Sequence, residues 1–366
     1  MTTTKDIAAR LNLSVSTVGR ALADDHRISA ETKFRVNQVA EELGYVANRA
    51  ARMMRGARST VIGLIVPDVG NSFYSTVAHA LAETMSSHEH QVMLCETGDD
   101  RQAELRHVRD LAAAQVAGLV IVPTPKPHAD VARLLKTMPH VQLLRRAPSL
   151  GPDWFGIDDH AVIHTATCHL LELGHERIGY IGGTRDISTA SGRLAGFRDA
   201  IAAAGLPPES GLVRLGPPSA ASFGADAVRA LRAAPDAPTA VVTGSVQITR
   251  GVLDALHHDG VRVPRQLSVV GFGDEPGFSW WGPGLTTMAL PMHDLATACG
   301  VWLLHRLDAQ ADHDAAASPF ASVSPGALVL RGSTAGPGVS PATAADGIEI
   351  SSLPGTSGER VDCGLE

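Results

Sequence analysis

Apolar positions follow two regimes along this chain, and the change comes near residue 60. Before it the spacing is helical and the helices are short. Ile7, Ala8 and Leu11 fall on one face. Asn12 and Leu13 break the run, and Ser14 stands where an N-cap accepts a hydrogen bond from a free backbone N–H. Val18 and Leu22 continue the apolar face. Ser29 caps a third helix over 30–43, with Val36, Val39, Ala40 and Leu43 as its buried stripe and Gly44 as its C-terminal cap.

After residue 60, short apolar runs alternate with amphipathic stretches. Strands are expected at 61–66, 91–95, 118–122, 141–144, 178–181, 240–243 and 268–272. Helices are expected near 72–88, 101–114, 160–173, 191–204, 220–233, 247–259 and 294–307. Regular βα alternation predicts parallel sheets covered by helices. The span is roughly 270 residues, more than one doubly wound sheet needs, so two are expected. Beyond Arg331 large apolar residues thin out in favour of Gly, Ser, Pro, Thr and Ala, so 335–366 read as a disordered tail. The expected division is a small all-α head (1–46), a hinge or linker (47–58), an α/β core (59–334) and that tail.

Two short helices across a tight turn are the helix-turn-helix layout, whose second helix enters the major groove of DNA. That layout turns Val15, Ser16 and Arg20 toward base edges. Arg20 has the strongest chemistry for a specific contact, since a guanidinium bonds guanine O6 and N7 together. Ser14 and Thr17 suit phosphates, which set register rather than specificity. Charge agrees. Residues 1–59 hold ten Lys/Arg against six Asp/Glu, a balance of +4, while the whole chain is −7, which leaves −11 beyond. A basic head on an acidic body concentrates phosphate attraction on the head.

The rest of the composition narrows the classes. A chain 44% hydrophobic without a run of 18 apolar residues calls for no membrane span, and no basic-then-apolar leader opens it. Cys95, Cys168, Cys299 and Cys363 stand far apart, which suits a reducing cytoplasm rather than a disulfide framework. The close histidine pairs, His88/His90 and His257/His258, lack partners at ligand spacing, so no metal or cofactor is expected. There is no glycine-rich phosphate loop after a strand, which argues against a nucleotide-binding α/β enzyme.

Several stretches carry a resemblance. Lys5-Asp6-Ile7-Ala8, Val15-Ser16-Thr17-Val18, Arg20-Ala21-Leu22, Ile28-Ser29-Ala30-Glu31-Thr32 and Glu42-Leu43-Gly44-Tyr45 are similar to the head of LacI/GalR-family transcriptional regulators. Gly63-Leu64-Ile65-Val66-Pro67-Asp68, Asn71-Ser72-Phe73-Tyr74, Leu173-Gly174-His175-Glu176-Arg177-Ile178 and Arg193-Leu194-Ala195-Gly196-Phe197 resemble its core. The resemblance implies a two-lobed, periplasmic-binding-protein-like core crossed three times by the chain, with a small effector in the cleft. It further implies a homodimer on a palindromic double-stranded operator, working in the cytoplasm at the nucleoid. Asn48 and Arg49 would belong to a hinge that orders on DNA. Met54 stands where the family usually has a Leu wedge for the minor groove.

The resemblance also assigns the cleft. Phe73 and Tyr74 match an aromatic pair that packs on the ligand, Arg193 a ligand-bonding Arg, and Thr189 a cleft-facing position. Three positions depart from the family: Ser245-Val246 replace Asn-Asp, Gly273 replaces the first Asp of a Gly-Phe-Asp-Asp turn ending here in Asp274, and Arg145-Arg146 replace Asp-Arg. Trp280, beside Trp281, would offer a stacking platform at the cleft mouth. Losing carboxylates and gaining Arg145 favours a sugar phosphate or sugar acid, since Arg pairs with such anions through paired hydrogen bonds. A neutral sugar read by other residues stays open. So do a regulator with no effector and a transport-type binding protein, though the DNA head speaks against the latter.

Overall fold

The computed structural model describes residues 2–45, 59–311 and 319–338. The positions expected to form the hinge, Asn48, Arg49 and Met54 among them, lie outside the described residues.

The head is three helices, α1 (Thr4–Leu11), α2 (Val15–Ala21) and α3 (Ala30–Glu42). Each start has a local cause. Asp6 accepts bonds from the backbone N–H and hydroxyl of Thr3, and Ser14 and Ser29 accept from the N–H groups of Thr17 and Thr32. Asn12 ends α1 at φ 53°, a left-handed conformation that Asn tolerates, and so makes the tight turn into α2. Ile7, Ala8, Val18, Ala21, Val36, Val39 and Ala40 close the small core.

Beyond residue 59 the chain builds two lobes. The first begins with β1 (Val61–Val66), α4 (Ser72–Ser86), β2 (Gln91–Glu96), α5 (Arg101–Ala113) and β3 (Gly118–Ile121). It continues through α6 (Ala129–Leu135), β4 (His140–Leu143) and β5 (Trp154–Ile157). The second begins with α7 (Asp159–Glu172), β6 (Ile178–Gly183), α8 (Ser188–Ala203), β7 (Gly211–Gly216) and α9 (Ala221–Arg232). It continues through β8 (Ala240–Thr243), α10 (Val246–His258), β9 (Ser268–Phe272), α11 (Pro276–Trp280) and β10 (Thr286–Ala289). α12 (Met292–Ala311) and β11 (Ala321–Ser324) return to the first lobe, and β12 (Ala327–Val329) to the second.

The sheet orders are β11-β5-β4-β3-β1-β2 and β12-β10-β9-β8-β6-β7. All pairings are parallel except β10 with β12. β1, β3 and β6 are buried along their whole length, as strands covered on both faces must be. In both sheets the order reverses beside the first strand. That is where an open α/β sheet offers a crevice at the carboxyl ends of its strands.

The three crossings run together. At the first, the Asp158 N–H donates to Ser324 O of the third at 3.0 Å. At Gly326 an added Cβ would lie 2.6 Å from Val162 and 2.9 Å from Leu290, so the third crossing is also wedged against the second. The end of the core is anchored too. The Ala335 carbonyl accepts from His175 Nε2 at 2.8 Å and from Ser268 Oγ at 2.9 Å, so the ordered chain outruns the expected boundary at 334. Among the described residues no helix is long and apolar enough to cross a membrane.

Candidate functional site

Two sites follow from this frame. The first is the exposed side of α2. Ser14, Val15, Ser16 and Arg20 are exposed, Thr17 is half-buried, and Val18 and Ala21 face the core. Val15 is 45% exposed although apolar. Lys33 and Arg27 are engaged by Asp24 and Asp25 in the turn before α3. Among the described residues Lys5, Arg10, Arg20 and Arg35 have no ion pair, so their charge faces solvent. Among the described residues nothing lies within 4 Å of a Cβ built at Gly19, so none of their contacts requires glycine in the middle of α2.

The second is the cleft between the lobes, where the two sets of strand ends meet. Asp68, Asn71, Phe73, Tyr74, Asp99 and Arg145 line it from the first lobe. Thr189, Arg193, Ser219, Ser245, Val246 and Phe272 line it from the second. Asn71 caps α4 by accepting from Phe73 N, which sets Phe73 and Tyr74 on the first turn facing the cleft. Phe73 meets Phe272 of the other lobe at 5.8 Å between ring centroids. Gly273, with φ +80°, adopts a conformation few side chains tolerate, and a Cβ there would come 2.8 Å from the Phe73 ring. The aromatic ring fills the space that a side chain at 273 would need.

Arg145 is not free. Its guanidinium grips both oxygens of Asp99, with a longer bond to Pro123 O at 3.4 Å. Burial works against its charge, but Tyr74 and Asp99 more than compensate and raise its pKa. Burial likewise pushes the Tyr74 phenol up, against the pull of Arg145. Asp99 reaches Arg145 because residues 98 and 99 both turn left-handed, at φ 59° and 61°. In the second lobe Arg193 Nε donates to Asp159 at 2.7 Å and Nη1 to Gly244 O at 2.8 Å. Its guanidinium lies 4.0 Å from the Phe272 ring centroid. Burial pushes the Asp159 carboxyl up, opposed by Arg193.

Ser245 caps α10 by accepting from Ile248 N and donates its hydroxyl to Pro218 O, so its role at the cleft wall is structural. Asp274 and Trp280 are elsewhere. Asp274 is locked by Arg331 at 2.7 and 2.9 Å and by the Thr287 hydroxyl. Trp280 is 81% exposed and borders a surface groove with His257, Arg262 and Trp281, away from the cleft. Sequence reasoning missed Asp99 and Asp159, the carboxylates that neutralise the cleft arginines. It also missed Asp68, whose second oxygen forms no bond among the described residues. Among those residues no group of His, Cys, Asp or Glu is arranged to hold a metal.

Comparison with known proteins places the head and the two-lobed core in one lineage. Residues 3–48 match the model of bacterial regulatory proteins of the lacI family, and residues 167–334 a periplasmic binding protein-like domain. The regulator GalR of Salmonella typhimurium is 33% identical over 299 residues, 81% of this chain and 87% of its own. The repressor CytR of Escherichia coli is 28% identical over 91% of this chain and 96% of its own. The Lac repressor dimer bound to operator and the anti-inducer ONPF superposes with a TM-score of 0.79, at 24% identity, over 91% of this chain and 99% of its own. The CelR–cellobiose complex superposes at 0.66, with 25% identity, over 91% and 100%.

Proposed function

The chain belongs to the LacI/GalR family of DNA-binding transcriptional regulators, which are not enzymes, and on that premise we propose a homodimeric repressor controlled by a metabolite in the cleft. The observation that carries the DNA half is the free Arg20 on the exposed side of a Ser14-capped α2. Two such heads would read the halves of a roughly palindromic operator. Effector binding would shift the population between lobe arrangements that hold the heads differently, through its differential affinity for them.

The charge balance of the cleft bears on the effector. Arg145 and Arg193 are each matched by a carboxylate, so the cleft itself offers little net charge to an anion. What it offers is hydrogen bonding beside aromatic rings. Among the described residues, Asp68 Oδ2, Asn71 Nδ2, the Thr189 and Ser219 hydroxyls and Arg193 Nη2 make no bond, and Phe73, Tyr74 and Phe272 line the wall. This supports a hydroxyl-rich ring in the cleft. The cellobiose of the CelR complex is of that class.

Fluorescence anisotropy on DNA from upstream of its own gene, at two salt concentrations, tests the DNA half. Arg20→Ala should weaken site-selective binding by about 1–3 kcal/mol, or roughly five- to 150-fold. Binding that is equal on any sequence, abolished by salt and unchanged in the variant would leave only phosphate contact and defeat the proposal.

A further inference from the structure

Beside the cleft lies a groove of about 400 Å³. The enclosed cleft itself is only about 60 Å³, far below the ~300–1,000 Å³ usual for ligand pockets. The two spaces share Arg145 and Ile187 in their walls. Besides Arg145, which Asp99 holds, three cations line the groove: Lys126 and Arg146 from the first lobe, and Arg185 from the second. Among the described residues Asp186 is the one acidic residue in its lining. All three cations are exposed, and among the described residues none has a carboxylate partner. Arg146 rests over the Trp154 ring at 5.8 Å, and its backbone N–H crosses to the Ser188 hydroxyl of the other lobe at 2.9 Å.

This charge is out of keeping with its surroundings, because the chain beyond residue 59 carries −11. Like charges facing each other across two lobes repel. A bound anion would remove that repulsion and tie the lobes together through charge-assisted hydrogen bonds. We infer that the groove is an anion subsite for a phosphate-like group, and that the effector site consists of a hydroxyl-binding cleft joined to this mouth. The inference rests on the effector site proposed above and narrows its ligand class. The anion is either an ester phosphate on the effector, such as a sugar phosphate carries, or free inorganic phosphate bound beside a neutral effector.

Equilibrium dialysis of the full chain decides it, using labelled inorganic phosphate and a panel of hexoses and hexose phosphates at constant ionic strength. Saturable phosphate or hexose-phosphate binding is expected. It should weaken roughly tenfold or more in Arg146→Ala/Arg185→Ala and be largely kept in Arg146→Lys/Arg185→Lys. The charge-keeping variant separates loss of the site from loss of the fold. Hexose phosphates that bind at least tenfold tighter than both inorganic phosphate and the parent hexoses would assign the anion to the effector. Equal binding of inorganic phosphate would assign it to a separate ion. The absence of saturable binding of either kind, or binding unchanged in the alanine variant, overturns the subsite. Operator binding by the unliganded wild type is measured alongside. Its presence leaves the regulator standing if the subsite fails, and its absence strikes the regulator itself.

Discussion

Arg145 in the first lobe and Arg193 in the second both reach the cleft, and each is held by a carboxylate of its own lobe. Asp99 keeps about a quarter of its side chain in water (26%) and sits in a left-handed turn, whereas Asp159 keeps 10% and opens the first turn of α7. A helix start favours a carboxylate, yet burial still pushes the Asp159 carboxyl up. Arg193 has two further holds, on Gly244 O and over Phe272, while Arg145 is almost entirely spent on Asp99. The same pair of residue types therefore does different work. In the second-lobe pair the carboxylate is the sealed partner and the arginine keeps one guanidinium nitrogen for a ligand; in the first-lobe pair the arginine is buried and the carboxylate is the one open to solvent.

Removing Arg193 should have the largest effect, because Asp159 would remain buried without a counter-charge. Urea denaturation of Arg193→Ala should give a loss of about 3–5 kcal/mol. Arg145→Ala should give clearly less, since Asp99 can turn to water. Equal losses would break the contrast between the lobes. Gly273→Asp comes next. It forces a side chain into a left-handed position against Phe73, which should cost about 1–3 kcal/mol in the same assay. A stability equal to wild type would mean that neither Phe73 nor Val246 crowds this position.

Tyr180 gives the smallest effect, and with the opposite sign. Its ring stacks on Phe197 in the second-lobe core, but its hydroxyl is buried without a hydrogen-bond partner among the described residues. Tyr180→Phe should leave stability unchanged or raise it by up to about 1 kcal/mol. A loss of 2 kcal/mol or more, an order-of-magnitude threshold, would reveal a bond to that hydroxyl.

The head was legible because its signals are local. Ser14 and Ser29 cap helices three residues from their targets, and the apolar stripe returns every turn. The buried inner strands were legible for the same reason: β1 and β9 read directly as apolar runs. The strands β7, β11 and β12 were not, because they lie at or near sheet edges and carry half-exposed or exposed residues without a clean pattern. The helices α6 and α11 give too few residues for a period to register, and β5 and β10 carry a glycine or two threonines among four residues, which breaks up the apolar run. The cleft was half legible. Phe73, Tyr74, Thr189, Arg193 and Arg145, all read as cleft residues, stand in its wall. The partner of Arg145 was hidden because Asp99 lies 46 residues away in a Gly-Asp-Asp turn that looks like any loop. A guanidinium read without its counter-ion looks like an anion site, whereas the unpaired cations sit one step outward, at Lys126, Arg146 and Arg185.

The bundled crossings at Asp158, Leu290 and Gly326 have a mechanical meaning. Three cords fastened side by side resist torsion and sliding while still permitting bending about their common line. Bending about that line is therefore the relative movement of the lobes that the crossings oppose least, as in a pair of shears. Whatever an effector does chemically in the cleft must be expressed as an angle about that pivot.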